Sequence, residues 1–185
     1  MGVTVLYGGA FDPPHLGHVA VADAVRGRFG ADRLVVLVNE RPAHRSVHAS
    51  ADDRLALARA AFPRDEVRLD PYPRTVELLR AEGLDDPVFV VGADQFHNFL
   101  NWSEPNEVLE LARIAVATRP GHPREALAGV LTQLDEPGRV LFFEIEPNPA
   151  ASRDVRARIA AGEPLDGLVP PAVARLIAER GLYRP

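Results

Sequence analysis

Apolar residues along this chain fall into two alternating patterns. Short continuous runs rich in β-branched residues read as strands: Val3–Tyr7, Leu34–Val38, Val67–Leu69, Val88–Val91, Ile114–Ala117 and Val140–Ile145. Between them the apolar positions recur at helical spacing. Leu16–Phe29 carries Val21, Val25 and Phe29 on one face and Asp23, Arg26 and Arg28 on the other, and Gly30 stops it. Ser50 opens S-A-D-D, a capping-box pattern with Asp53 at the third helical position, and that helix runs to about Ala61. Further helices are predicted over Thr75–Ala81, Gln95–Phe99, Asn106–Ala112, Arg124–Leu134, Ser152–Ala161 and Pro171–Arg180, with Gly83 and Gly181 closing two of them.

Continuous apolar strands separated by helices predict a parallel sheet covered on both faces. The expected fold is a Rossmann-like, doubly wound, three-layer α/β/α sheet with C-terminal helices, as one domain over residues 1–185. In the commonest strand order of such sheets, strands one and four are neighbours and ligands bind beyond their carboxyl ends. The first strand ends in GGAFDPPHLGH and the fourth in GADQFHNFLNW, so these two stretches are expected to meet at one crevice.

Composition narrows the partners. A formal net charge of -5 argues against a general nucleic-acid binder. There is no cysteine, which excludes disulfides and thiolate metal sites. No apolar run approaches the ~18 residues that span a bilayer, and the N-terminus lacks a basic n-region, so a cytoplasmic protein without membrane association is expected. All 21 basic residues are arginine, which removes a Walker A reading.

The stretch Gly8–His18 is the chemical centre of this reading. Gly8 and Gly9 are expected to let backbone approach a ligand, and Pro13 and Pro14 to stiffen the turn. A helix starting near His15 or Leu16 would aim free N–H groups at the crevice, a phosphate site. His15 and His18 are three apart and share a face of its first turn. A Gly/Pro-rich turn with Phe11 anchoring it in the core is the plainer alternative, but it leaves the histidine pair unexplained.

GGAFDPPHLGH resembles the G-G-S/T-F-D-P-x-H-x-G-H signature of the nucleotidyltransferase superfamily related to class I aminoacyl-tRNA synthetases. VVGADQFHNFLNW is similar to the G-x-D … W segment of bacterial nicotinate-mononucleotide adenylyltransferases. RIAVATRPG resembles their next strand and R-P-G turn. ASRDVRARIAAGEPLDGLVPPAVARLIAERGLY resembles their S-S-T-x-I/V-R helix and closing segment. The ordered set covers most of the chain.

That resemblance implies transfer of AMP from ATP to nicotinate mononucleotide, with release of pyrophosphate, in NAD biosynthesis. It implies that His15, His18 and Arg156 are catalytic. The ATP site it implies comprises Gly8, Gly9, Ala10, Phe11, His15, His18, Gly92, Asp94, Ser152, Arg153 and Arg156. It places His44, Arg45, Thr75 and Trp102 at the acceptor, Trp102 by stacking on a pyridine ring. Ser152 is also a good N-cap on its own chemistry. Magnesium is expected to arrive on ATP, with no metal site in the protein, and homo-oligomerisation stays open.

Three departures leave alternatives standing. Ala10 replaces a hydroxyl residue, Ala151-Ser152-Arg153 stands for S-S-T, and Tyr72-Pro73-Arg74-Thr75-Val76-Glu77 stands for S-Y-T-x-D-T. The same chemistry with nicotinamide mononucleotide or phosphopantetheine as acceptor is one alternative. A nucleotide-binding sensor without turnover is another. A metal hydrolase using Asp12, His15 and His18 is a distant one. His48, His97 and His122 are read as surface or structural residues.

Overall fold

The computed structural model describes residues 2–42, 46–118, 125–146 and 148–184, with backbone only at Glu125 and Ala126. Six parallel strands form one sheet in the order β3-β2-β1-β4-β5-β6. They are β1 Val3–Gly9, β2 Ala31–Asn39, β3 Glu66–Asp70, β4 Val88–Gly92, β5 Arg113–Thr118 and β6 Val140–Glu144. The helices are α1 Leu16–Phe29, α2 Ala51–Ala61, α3 Thr75–Glu82, α4 Ala93–His97, α5 Pro105–Leu111, α6 Glu125–Leu131, α7 Ser152–Ala161 and α8 Pro171–Arg180. The three-layer fold and the adjacency of β1 and β4 are borne out. The predicted helix over Gln95–Phe99 resolves into α4 and a separate 3-10 turn, Phe99–Asn101. The start of the predicted Arg124–Leu134 helix lies outside the described residues.

Strand side chains alternate between two cores. Val5, Tyr7, Val36, Val38, Val88 and Val90 pack against α1, α2, α7 and α8. Leu6, Val35, Leu37, Phe89 and Val91 pack against α3, α4, α5 and α6. Among the described residues, no helix is long and apolar enough to cross a membrane.

The helix ends explain how the carboxyl edge of the sheet is held. Ser50 caps α2 as expected, its Oγ accepting from the Asp53 amide at 3.1 Å. The Asp53 carboxylate accepts from the Ser50 hydroxyl and from Arg180 at the end of α8, both at 2.7 Å, and these bonds hold it below the usual carboxylate range. The next residue, Arg54, is buried, only 1% exposed. Its guanidinium donates to four carbonyls: Ala49 at 3.3 Å, Ala10 at 2.9 Å, Asn39 at 2.7 Å and Glu40 at 2.9 Å. A planar fork with five N–H groups suits this task. It ties the loops after β1 and β2 to the start of α2.

Arg54→Ala would strand four carbonyls and is expected to cost about 3 kcal/mol or more in urea unfolding. Arg54→Lys should recover little, because a compact ammonium cannot span the same acceptors. A loss below about 1 kcal/mol for Arg54→Ala would contradict this role.

Candidate active site

The turn from β1 into α1 sets two imidazoles side by side. His15 is the N-cap of α1, and its Nδ1 accepts from the Gly17 amide at 3.1 Å. His18, three positions on, accepts at its own Nδ1 from the His15 amide at 3.1 Å. This is a reciprocal capping box with histidines in both side-chain roles. The two ring centroids are 3.7 Å apart. Each Nδ1 that accepts a hydrogen bond carries no proton, so the neutral ring holds its proton on Nε2. An imidazolium would lose these bonds. A neutral ring in this tautomer is an N–H donor at Nε2, a group that suits phosphate oxygens. The first turn of α1 has no acidic residue, so nothing there opposes an anion at the helix N-terminus.

Two glycines are required by close approach within this loop. A Cβ on Gly17 would lie 2.9 Å from the His15 ring, and a Cβ on Gly9 would lie 2.9 Å from the Phe11 ring. The space beside the Gly9 Cα is thus filled by the Phe11 ring. Phe11 itself is 2% exposed and meets Tyr7, His18 and Phe62 edge-on. Its side chain is core, so only its backbone remains for a nucleotide. It holds φ at 49°, a left-handed conformation that a bulky residue adopts at a cost.

Asp12 follows immediately and is 5% exposed. Its Oδ1 accepts from the Ala49 amide at 3.1 Å and the Tyr183 hydroxyl at 2.9 Å. Its Oδ2 accepts from the His48 amide at 2.7 Å and lies 3.3 Å from His48 Nδ1. Sequence reading left His48 as a surface or structural residue and gave Tyr183 no role. The signal was weak in both cases, since only the fold brings them to Asp12. Burial first, and then the Asp12 carboxylate, push the Tyr183 hydroxyl well above the usual phenol range.

α7 reaches the same loop from the far end of the chain. Arg156 donates from Nη1 to the Asp12 carbonyl at 2.6 Å, and that nitrogen lies 3.9 Å from Asp12 Oδ2. Ser152 is not the N-cap; Ala151 is. The Ser152 hydroxyl instead donates to the Pro13 carbonyl at 2.9 Å, so it staples α7 to the loop. Arg153 points to solvent and pairs with its neighbour Asp154 at 3.2 Å.

An open cleft of about 240 Å³ lies where β1 and β4 part, lined by His15, Gly17 and His18 on one side and by Gly92, Ala93 and Asp94 on the other. Gly92 donates its amide to Gln95 Oε1 at 3.0 Å, and Asp94 is exposed in the first turn of α4. Tyr7, Val21, Ala117, Ile145, Asn148 and Ala150 complete the lining and were not anticipated. Gly8 lies near the end of β1 and Ala10 on the loop behind, its carbonyl on Arg54. The cleft brings His15, His18, Gly92 and Asp94 together, and Arg156 and Ser152 join through the loop at Asp12 and Pro13.

The acceptor residues are less gathered. Thr75 opens α3. Trp102 is half-buried against the second core, its ring 5.2 Å from Phe99 and 6.4 Å from Phe89. Neither lines the cleft. His44, Arg45 and the R-P-G turn, as well as His122, lie outside the described residues. No group of three or more His, Asp or Glu residues is placed to hold a metal among the described residues. The Asp12 carboxylate and the Nδ1 atoms of His15 and His18 already accept from the protein's own donors.

The capping role has a measurable consequence. His15→Ala is expected to lower stability by about 1 kcal/mol in urea unfolding, and His15→Asn, which keeps a capping acceptor, by only a few tenths. Equal losses for both would contradict the capping geometry.

Comparison with known proteins agrees with this geometry. The cytidylyltransferase-like family model matches residues 6–158. A Symbiobacterium thermophilum protein named "Probable nicotinate-nucleotide adenylyltransferase" is 38% identical, over 99% of this chain and 96% of its own length. A Bordetella avium protein of the same name is 35% identical over 97% of each. The structure of Plasmodium falciparum nicotinic acid mononucleotide adenylyltransferase complexed with APC matches with a TM-score of 0.77 over 99% of this chain and 98% of its own. At 15% identity, that likeness speaks for the fold alone. With a family match over most of its length and relatives of this identity along nearly all of it, the chain belongs to the cytidylyltransferase-like family, among the nicotinate-nucleotide adenylyltransferases.

Proposed function

We propose that this adenylyltransferase moves AMP from ATP to nicotinate mononucleotide, giving nicotinate adenine dinucleotide and pyrophosphate. It works as one nucleotidyltransferase domain in the cytoplasm. The observation that carries the reading is the pair of imidazoles capping α1 at the β1/β4 cleft, each with Nδ1 held by backbone.

A phosphate oxygen of the acceptor attacks the α-phosphorus of ATP. The new O–P bond forms as the bond to the β-phosphate oxygen breaks, and pyrophosphate leaves with the electron pair. The acceptor needs no general base, because a phosphate monoester with a second pKa near ~6 is already ionised at neutral pH. The protein's task is to position the phosphates and to stabilise the charge that moves onto them. His15 and His18 donate from Nε2 to the ATP phosphates, at the positive end of α1. Arg156 meets the β and γ phosphates, with Ser152 holding α7 against the loop. Gly8, Gly9, Ala10 and Phe11 offer backbone to the nucleotide, and Gly92 and the Asp94 carboxylate hold the ribose. Arg153, at the start of α7, adds positive charge to the field on the triphosphate. Thr75 and Trp102, with His44 and Arg45, receive the acceptor. Magnesium comes as part of the ATP substrate and screens its charge.

Magnesium-dependent pyrophosphate release, measured with nicotinate mononucleotide, nicotinamide mononucleotide or phosphopantetheine in turn, tests this function. Release is expected with nicotinate mononucleotide and to fall at least 100-fold in His18→Ala, a loss on the scale of one removed transition-state donor. Release only with another acceptor would keep the chemistry and replace the substrate. ATP binding without any release would favour the sensor reading, which the loss of two hydroxyls at Ala151 and Arg153 first suggested.

A further inference from the structure

Asp12 is the most heavily used side chain in the loop, and the reaction as written above gives it no part. Its carboxylate is buried and receives donors from two separate parts of the chain. Ala49 and His48 approach from the segment that leads into α2. Tyr183 approaches from beyond α8, near the last residue of the chain. Arg156 stands beside the same carboxylate, with Nη1 3.9 Å from Oδ2, while donating to the Asp12 backbone carbonyl at 2.6 Å. Arg156 is thus anchored to the loop without a close ion pair to Asp12.

The route by which Tyr183 arrives is built. Gly181 ends α8 in the left-handed conformation, and the Leu182 amide donates back to the Ile177 carbonyl at 3.1 Å. Tyr183 then adopts φ 62°, a left-handed conformation that is unfavourable for a non-glycine residue. Its ring is half-buried at the edge of the first core. Arg180 fixes the end of α8 to Asp53, at the start of the same helix whose lead-in binds Asp12.

We propose that Tyr183 is a positioning residue for adenylyl transfer: its hydroxyl satisfies the Asp12 carboxylate and so keeps that carboxylate from capturing Arg156. A buried carboxylate seeks charge-assisted donors. Without the tyrosine hydroxyl, Oδ1 keeps a single amide donor. Among the described residues, the one arginine within 4 Å of this carboxylate is Arg156, 3.9 Å from Oδ2, with the His48 imidazole already at 3.3 Å from the same oxygen. Closing that gap would form a tight ion pair and draw Arg156 away from the triphosphate. The proposal rests on the reading that Arg156 meets the ATP phosphates.

The test is a double-mutant cycle on the full-length enzyme, with steady-state kinetics and thermal melts on every variant. Tyr183→Phe removes only the hydroxyl and is expected to lower kcat/KM for ATP by roughly tenfold at 25 °C, the scale of one hydrogen bond to a charged group. KM for the pyridine mononucleotide should stay within about twofold. In an Asp12→Asn background the same substitution should cause no further loss, because a neutral amide does not capture Arg156. Arg26→Ala supplies the control for stability alone, since Arg26 pairs with the buried Asp65 and makes no contact with Asp12. It should lower Tm and leave kcat/KM at 25 °C unchanged.

Tyr183→Phe with unchanged kcat/KM, or an equal loss in the presence and absence of the Asp12 carboxylate, would overturn the proposal. If Asp12→Asn does not fold, comparing Tyr183→Phe with Arg26→Ala still decides it. A wild-type enzyme that binds ATP but releases no pyrophosphate would instead overturn the functional reading beneath it.

Discussion

The loop that carries the histidine pair is held in place by one buried carboxylate. Asp12 sits under the turn that carries both histidines, and its desolvation is offset only by a full set of donors. Those donors come from the lead-in to α2 and from the chain's end. Arg54 does the complementary work with opposite sign, gathering four carbonyls from the neighbouring loops. Burial pulls the Arg54 guanidinium below its usual range, and Asp12 acts against that shift. The two buried charges support each other across the loop without a direct ion pair.

This arrangement separates two jobs that one residue type often combines. The histidines spend Nδ1 on helix capping, and in the proposed reaction they meet phosphate through Nε2. Positive charge is left to arginine and to the amino end of α1. Because the chain contains no lysine, every side-chain cation at the site is a planar fork that stays charged at any working pH. Geometry then decides which arginines serve. Arg156 is held by the loop, Arg54 is consumed by structure, and Arg153 lies at the surface.

The fold was legible because apolar runs and helical spacing both register burial, and burial is what the sheet and its two layers require. Even the β1/β4 crevice followed from topology. The site was legible where chemistry is local: His15 and His18 sit three apart on one helix, so their pairing needs no tertiary knowledge. It was not legible where partners are distant. Nothing in the sequence near Asp12 announces Tyr183, and Arg54 looks like any arginine on an amphipathic helix. Ser152 misled because a hydroxyl at a helix start usually caps, whereas here the approach of Pro13 offered it a better acceptor.

The most direct test of the central claim is a crystal structure of the enzyme with a non-hydrolysable ATP analogue. The account predicts phosphate oxygens within about 3 Å of Nε2 of both His15 and His18, with Nδ1 of each ring still accepting from backbone and the Arg156 guanidinium on the same triphosphate. A triphosphate bound elsewhere, or imidazoles turned so that Nδ1 meets the phosphates, would contradict it.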